Sequence, residues 1–308
     1  MKRTTMRSVA LLTLYLVPHV LSQTVSTSAK RGLAHVETSE ASDNHFWTSG
    51  DLTWYYNWGP TPDPALDNTP LQFVPMLWGE AQSKNQNFYT QVKNQIDSGR
   101  NVTWVLGFNE PDGCHGVYGG SCLDAETAAE IWIREIEPLK DLGVKLGAPG
   151  VTGAPTGFNW LRNFFTACDG KCTPDFIPIH WYGDFQGLAS HVGQVNATYQ
   201  NMTMWVTEWG FPDQKLEDTQ DFYNQSVAFF DRIDYITHYS YFGAFRSSVS
   251  NVGPNSAMLT QKGELTDIGA WYLGDAATGN IPRGDAPRIA RFAGSFVLVV
   301  AAGFWCLG

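Results

Sequence analysis

The sequence predicts a single-domain α/β protein, a (β/α)8 barrel, and three observations carry that expectation. Short apolar or aromatic runs recur at Gly32 to Val36, Leu52 to Trp58, Phe73 to Trp78, Val102 to Phe108, Lys145 to Ala148, Phe176 to Trp181, Met204 to Thr207 and Tyr235 to Phe242. Helical pattern fills most of the intervals, and the runs are too apolar for a sheet with one wet face, so they read as parallel strands covered by helices. Eight such units over about 245 residues match the size of the barrel. The competing doubly wound sheet usually carries a Gly-rich phosphate turn, and neither GxGxxG nor GxxxxGK[ST] occurs in the chain.

Taken in order, the chain opens with Lys2, Arg3 and Arg7, then an apolar run from Val9 to Leu21 and a small residue, Ser22. That order reads as a signal peptide over residues 1–22, and hence as a secreted protein. A membrane anchor is the rival, but the run is short and Pro18 interrupts it. A Ser/Thr-rich lead follows, then the barrel domain over residues 30–275. Helices are expected at Ala81 to Ser98, Asp124 to Leu142, Phe158 to Cys168, Leu188 to Gln200 and Asp213 to Asp231. Asp124 is placed to cap its helix, and Trp132 recurs with Ala128, Ile131, Glu135 and Leu139 at helical spacing, so it packs rather than binds. No linker divides the domain.

Residues 276–308 hold a polar spacer and an apolar tail from Phe292 to Gly308 with no charge behind it. Small residues cluster before it around Asp275-Ala276-Ala277 and Gly284-Asp285-Ala286, the order of a GPI-attachment signal that is removed on anchoring. The chain is therefore expected at the outer face of the plasma membrane or in the wall, touching membrane only through a lipid anchor. Cys114 with Cys122, and Cys168 with Cys172, are the simplest of three possible pairings, since each brackets a short loop. Their spacing does not suit zinc. Sequons at Asn101, Asn196, Asn201 and Asn224 agree with secretion.

The formal charge of −10 is scattered rather than blocked, which argues against a nucleic-acid partner. With 12 Trp, 12 Tyr and 18 Phe among 16% charged residues, the chain has more flat aromatic surface than its core requires. The surplus suits a carbohydrate cleft, where an indole face covers the apolar face of a sugar. Nothing points to a cofactor or a metal, and the chain reads as a monomer.

In such a barrel chemistry gathers at the carboxyl ends of the strands. Two ends match: Trp104-Val105-Leu106-Gly107-Phe108-Asn109-Glu110-Pro111-Asp112 and, about a hundred residues on, Met204-Trp205-Val206-Thr207-Glu208-Trp209-Gly210-Phe211-Pro212. Each is an apolar run leading to a glutamate and ended by a proline, which cannot extend a ladder. The other strand ends supply Asn57-Trp58, Trp78, His180-Trp181-Tyr182 and Tyr241-Phe242. Two carboxylates among aromatics, Asn and His suit glycoside hydrolysis, one as acid and the other as nucleophile or charge stabiliser. Either glutamate alone is more often a solvated rim residue, and Trp58, Trp78 and Trp209 could be core. A glucan-binding wall glycoprotein without catalysis, or a retaining hydrolase of another β-glycan, are the alternatives.

The series Lys30-Arg31-Gly32-Leu33-Ala34, Tyr56-Asn57-Trp58-Gly59, Phe73-Val74-Pro75-Met76-Leu77-Trp78-Gly79, Leu106 to Asp112, Lys145-Leu146-Gly147-Ala148-Pro149, Ile179-His180-Trp181-Tyr182 and Trp205 to Gly210 resembles glycoside hydrolase family 128 over about residues 30–275. The resemblance implies a (β/α)8 fold and a retaining β-1,3-glucanase, of endo type, with Glu110 as acid/base and Glu208 as nucleophile. It implies sugar contacts from Asn57, Trp58, Trp78, Asn109, His180, Tyr182 and Trp209, and Tyr241 stands with them at a strand end. The Cys-bracketed loop after Asp112 and the apolar tail depart from the family pattern.

Overall fold

The computed structural model describes residues 26–37, 40–48, 50–85, 87–114 and 119–284. The expected signal peptide and all of the apolar tail lie outside the described residues. Among the described residues no helix is long and apolar enough to cross a membrane.

Strands form at all eight apolar runs: β1 (Arg31–Ala34), β2 (Trp54–Tyr56), β3 (Gln72–Phe73), β4 (Trp104–Val105), β5 (Lys145–Leu146), β6 (Phe176–Tyr182), β7 (Thr203–Gly210) and β8 (Ile236–Tyr241). Every ladder between them is parallel. Six strands make one sheet in the order β3-β2-β1-β8-β7-β6, while β4 and β5 pair separately. Isolated parallel bridges stand at the two gaps, Met76 with Leu106 and Gly147 with Phe176. The architecture is thus mixed α/β on parallel strands.

Helices α1 (Glu80–Asn85), α2 (Phe88–Asp97), α3 (Ala125–Glu135), α4 (Pro155–Cys168), α5 (Phe185–Thr198), α6 (Leu216–Arg232) and α7 (Asp267–Tyr272) fill the connections. The helix expected over Ala81 to Ser98 is two. Asn87, in the left-handed region, starts the second and accepts a hydrogen bond from the Thr90 N–H. The helix expected to reach Leu142 ends at Glu135 and tightens into a 3-10 turn at Glu137–Leu142. Pro138 has no N–H to continue the α pattern.

The buried side chains sort by face. Leu33, Tyr55, Val206, Tyr239 and Tyr241 pack with Leu188, Val192, Phe222 and Phe230 of the covering helices. Ala34, Trp54, Tyr56, Val74, Met76, Leu106, Phe176 and Trp205 form a cluster on the opposite face, drawn from strands and strand ends alone. Two glycines make room for its rings. A Cβ on Gly32 would stand 2.0 Å from Trp54, and one on Gly147 would stand 2.7 Å from Phe176. Disulfides join Cys114 to Cys122 and Cys168 to Cys172, the two local pairings.

Candidate active site

Glu110 follows β4 at a bend. Its N–H donates to the Gly150 carbonyl at 2.6 Å and its carbonyl accepts from the Gly113 N–H at 2.8 Å, so the chain turns as soon as the residue is placed. Its φ of +41° lies in the left-handed region, which an L residue occupies only where neighbours enforce it.

Glu208 reaches the same point through a bulge. Ile179 of β6 pairs with Val206 and His180 pairs with Glu208, leaving Thr207 unmatched. Val206 faces the helices, and unbroken alternation would aim Glu208 to the same side. The extra residue reverses the alternation, so Glu208 turns to His180 and Trp209 turns to the helices. Ser240 and Tyr56 seal the bulge by donating from their hydroxyls to the Thr207 carbonyl.

Both glutamates and His180 are buried. His180 Nδ1 is hydrogen-bonded to Glu110 Oε1 at 2.9 Å and stands 3.7 Å from Glu208 Oε2. One oxygen of each carboxylate and a ring nitrogen of His180 all lie within 4.8 Å of one another. Trp58 Nε1–H donates to Glu208 Oε1 at 2.8 Å, and the Tyr182 hydroxyl donates to Oε2 at 2.8 Å.

Burial is the largest influence on Glu208 and pushes its pKa up; Glu110 adds to this, while His180 and the bonds from Trp58 and Tyr182 oppose it. Burial alone would lower the His180 pKa, but Glu208, Glu110 and Asp112 together outweigh it and raise the value. Tyr182 is held well above the ordinary phenol range, by burial first and then by Glu208, so it stays a donor. Two carboxylates and an imidazole converging this closely can share a proton, and the same three donors could hold a small cation.

A model of the glycosyl hydrolase catalytic core family matches residues 32–272. The chain belongs to that family, as a glycoside hydrolase of family 128. It is 28% identical over 257 residues to alkali-sensitive linkage protein 1 of Schizosaccharomyces pombe, covering 80% of this chain and 45% of that one. The chain thus spans less than half the length of that relative. Among solved structures it is similar to a family 128 subgroup II endo-β-1,3-glucanase from Sorangium cellulosum, at 26% identity and a TM-score of 0.67, covering 81% of this chain and 99% of that one. It is also similar to a subgroup III curdlan-specific exo-β-1,3-glucanase from Blastomyces gilchristii, solved with glucose, at 26% identity and a TM-score of 0.64, covering 79% and 97%.

In this family 128 hydrolase the structure gathers Glu110, Glu208, His180, Tyr182 and Trp58, with Asn109 and Trp78 beside them. Asn109 is buried, donates from Nδ2 to the Gly119 carbonyl at 3.1 Å, and leaves Oδ1 without a partner. Trp78 is half-buried and packs on the strand-only cluster with Trp58.

Two expected sugar contacts are corrected. Trp209 is fully buried on the helix side of β7, against Phe222, Tyr223 and Phe230 of α6, because the bulge turns it there. Tyr241 shares that pocket of rings, 4.8 Å from Trp209, and lies away from the glutamates. Asn57 is half-buried and shapes the Trp58 loop, its amide donating to the Thr61 carbonyl and accepting from the Gly59 N–H.

Phe242 was placed at a strand end by the sequence but was not among the expected sugar contacts. Its ring is 6.0 Å from Trp58 and 5.7 Å from Tyr182, which places it on the cleft wall. The clue was the period of two, since Tyr239 and Tyr241 face the helices and Ser240 and Phe242 therefore face the other way. Of the sequons, Asn101 and Asn201 are exposed, while Asn196 and Asn224 are half-buried on α5 and α6.

Proposed function

We propose that this chain hydrolyses β-1,3-glucan with retention of anomeric configuration, Glu208 acting as nucleophile and Glu110 as acid and then base. The carrying observation is that the two carboxylates approach within 4.8 Å. So close an approach of one oxygen from each favours the roughly 5 Å carboxyl separation of retaining enzymes over the roughly 6.5 to 9.5 Å that makes room for an inverting enzyme's water. Two donors on Glu208 favour its charged form. Once it becomes a glycosyl ester that charge is gone, and Glu110 can receive the proton of the incoming water. The free Oδ1 of Asn109 is placed to accept from a sugar hydroxyl, which removes a buried unsatisfied acceptor.

The substrate reading is supported by family membership and by the glucanases of S. cellulosum and B. gilchristii, one endo and one exo. We further read the strands as one closed (β/α)8 ring in a domain spanning residues 30–275. The bridges at Met76–Leu106 and Gly147–Phe176 support this, with hydrogen bonds from Leu106 to Pro75 and from Ala148 to Phe176 at 2.8 and 2.9 Å. Secretion, N-glycosylation and a lipid tether remain part of the proposal on the strength of the terminal segments and sequons. Release from cells by a phosphatidylinositol-specific phospholipase tests the tether.

The deciding experiment incubates the protein with laminarin, curdlan and mannan. Sugar release from the β-1,3-glucans is expected to fall by at least about 100-fold in Glu110→Gln and in Glu208→Gln. Activity on mannan alone, or full activity in either variant, overturns the assignment. Early products read by proton NMR should carry the β configuration, and long oligosaccharides among them indicate cleavage within the chain. Activity should survive dialysis against a chelator. Loss that a divalent cation restores would assign the trio to metal chemistry instead.

A further inference from the structure

We propose that Gln82 is a positioning residue that sets the grip of Trp58 on Glu208, an inference that rests on the hydrolase mechanism above. Gln82 sits on α1, between the segments that follow β2 and β3. Its Nε2 donates to the Trp58 carbonyl at 3.3 Å, and its Oε1 accepts the backbone N–H of Trp78. One amide thus ties together the two loops that carry the cleft tryptophans.

The tie matters because of the backbone it holds. Trp58 has φ of +55°, a conformation that costs an L residue energy unless its surroundings impose it. Asn57 fixes the turn from one side through Gly59 and Thr61, while Gln82 holds the Trp58 carbonyl itself. The direction of that peptide determines where the indole points. In this position Nε1–H meets Glu208 Oε1 at 2.8 Å, with the ring propped 4.9 Å from Tyr56 and 6.0 Å from Phe242.

Gln82 reaches no reacting atom and acts only through Trp58. Nor is it the sole anchor of α1, since the neighbouring Ser83 hydroxyl accepts from Arg134 of α3 at 3.2 Å. Removing the Gln82 amide should therefore leave the helix docked and release the Trp58 loop.

The test compares Gln82→Ala, Gln82→Glu, Trp58→Phe and the double variant Gln82→Ala/Trp58→Phe on laminarin. Gln82→Glu keeps an acceptor for Trp78 and removes the donor to Trp58, so it isolates the second bond and stands in should Gln82→Ala fail to fold. The expected result is a fall of about 10-fold in kcat with a smaller change in KM. The acid limb of kcat/KM should move up by roughly half a pH unit, because Glu208 loses a donor that favours its charged form. Trp58→Phe should show the same displacement, and adding Gln82→Ala to it should change nothing further. An unmoved acid limb, or additive losses in the double variant, overturns the proposal.

A second readout does not depend on turnover. In protein labelled with 15N-tryptophan, the indole N–H resonance that disappears in Trp58→Phe should follow the titration of Glu208 in the parent and lose that dependence in the Gln82 variants. Its persistence there overturns the positioning role even if the parent cleaves no glucan. Failure to cleave in the parent alone counts against the glucanase reading.

Discussion

Glu208 is gripped by one donor on each oxygen, Trp58 on Oε1 and Tyr182 on Oε2. Hydrogen bonds to a charged group are worth about 1.5–3 kcal/mol, so Tyr182→Phe should lower kcat/KM by roughly 10- to 100-fold. The sign in pH is fixed by the same bond. The proposed mechanism needs Glu208 ionised, burial already raises its pKa, and loss of a donor raises it further. The rate of Tyr182→Phe should therefore begin to fall at a higher pH as acid is added, and an unchanged acid limb would refute the grip. Trp209 gives the opposite expectation. It fills space between β7 and α6, so Trp209→Ala should cost about 3–5 kcal/mol of stability, read from denaturant midpoints. A variant that keeps its stability but loses substrate affinity would return Trp209 to the cleft.

Among the elements, β1 is held to the end of the domain by a buried cation. The Arg31 guanidinium donates to Asp51, to the carbonyls of Trp271 and Tyr272, to the Tyr239 hydroxyl and to Ser26. Burial works against its charge, and the hydrogen bonds to Asp51 and the Tyr239 hydroxyl offset that cost. Arg31→Ala leaves Asp51 and two carbonyls without this donor and should destabilise by about 3 kcal/mol in equilibrium unfolding. A midpoint within error of the parent would show that α7 docks on apolar contacts alone. The bulge at Thr207 is the other device of this scale. It lets one strand present Val206 and Trp209 to the helices while turning the carboxylate between them to the site.

For the molecule as a whole, acid is a threat to the fold. His191 is stacked on Trp181 at 5.4 Å, and burial, with the charge of His180, lowers its pKa to about 4. His238 is stacked on Trp205 at 3.8 Å, and burial, with Lys30, lowers its pKa to about 4. An unfolded histidine takes its proton near pH 6.5. At these two positions, between roughly pH 6.5 and 4, the unfolded chain binds more protons than the folded one, so their contribution to stability falls as pH falls, while the raised pKa values of His180 and Glu208 act in the opposite sense. Between roughly pH 6.5 and 4.5 the melting temperature of the parent should fall more steeply than that of His191→Phe/His238→Phe. An equally steep drop in the double variant would place the acid sensitivity elsewhere.

How much of this was legible in the sequence depends on the range of the cause. Apolar runs, the glutamate-proline strand ends and the short Cys spacings are local patterns, and all eight strands, both disulfides and the two carboxylates could be located from them. The face on which a residue lies is decided by pairing with strands far away in the chain. The bulge opposite Ile179 and His180 sent Trp209 into the core, and the same alternation in β8 put Phe242 rather than Tyr241 on the cleft wall. The left-handed turns of Trp58 and Glu110, and the Gln82 bond across two loops, have no sequence signature, because tertiary neighbours impose them. The sequence by itself determined which groups are available for chemistry; only the packed structure decided which of them meet, since register is a property of two strands and not of one.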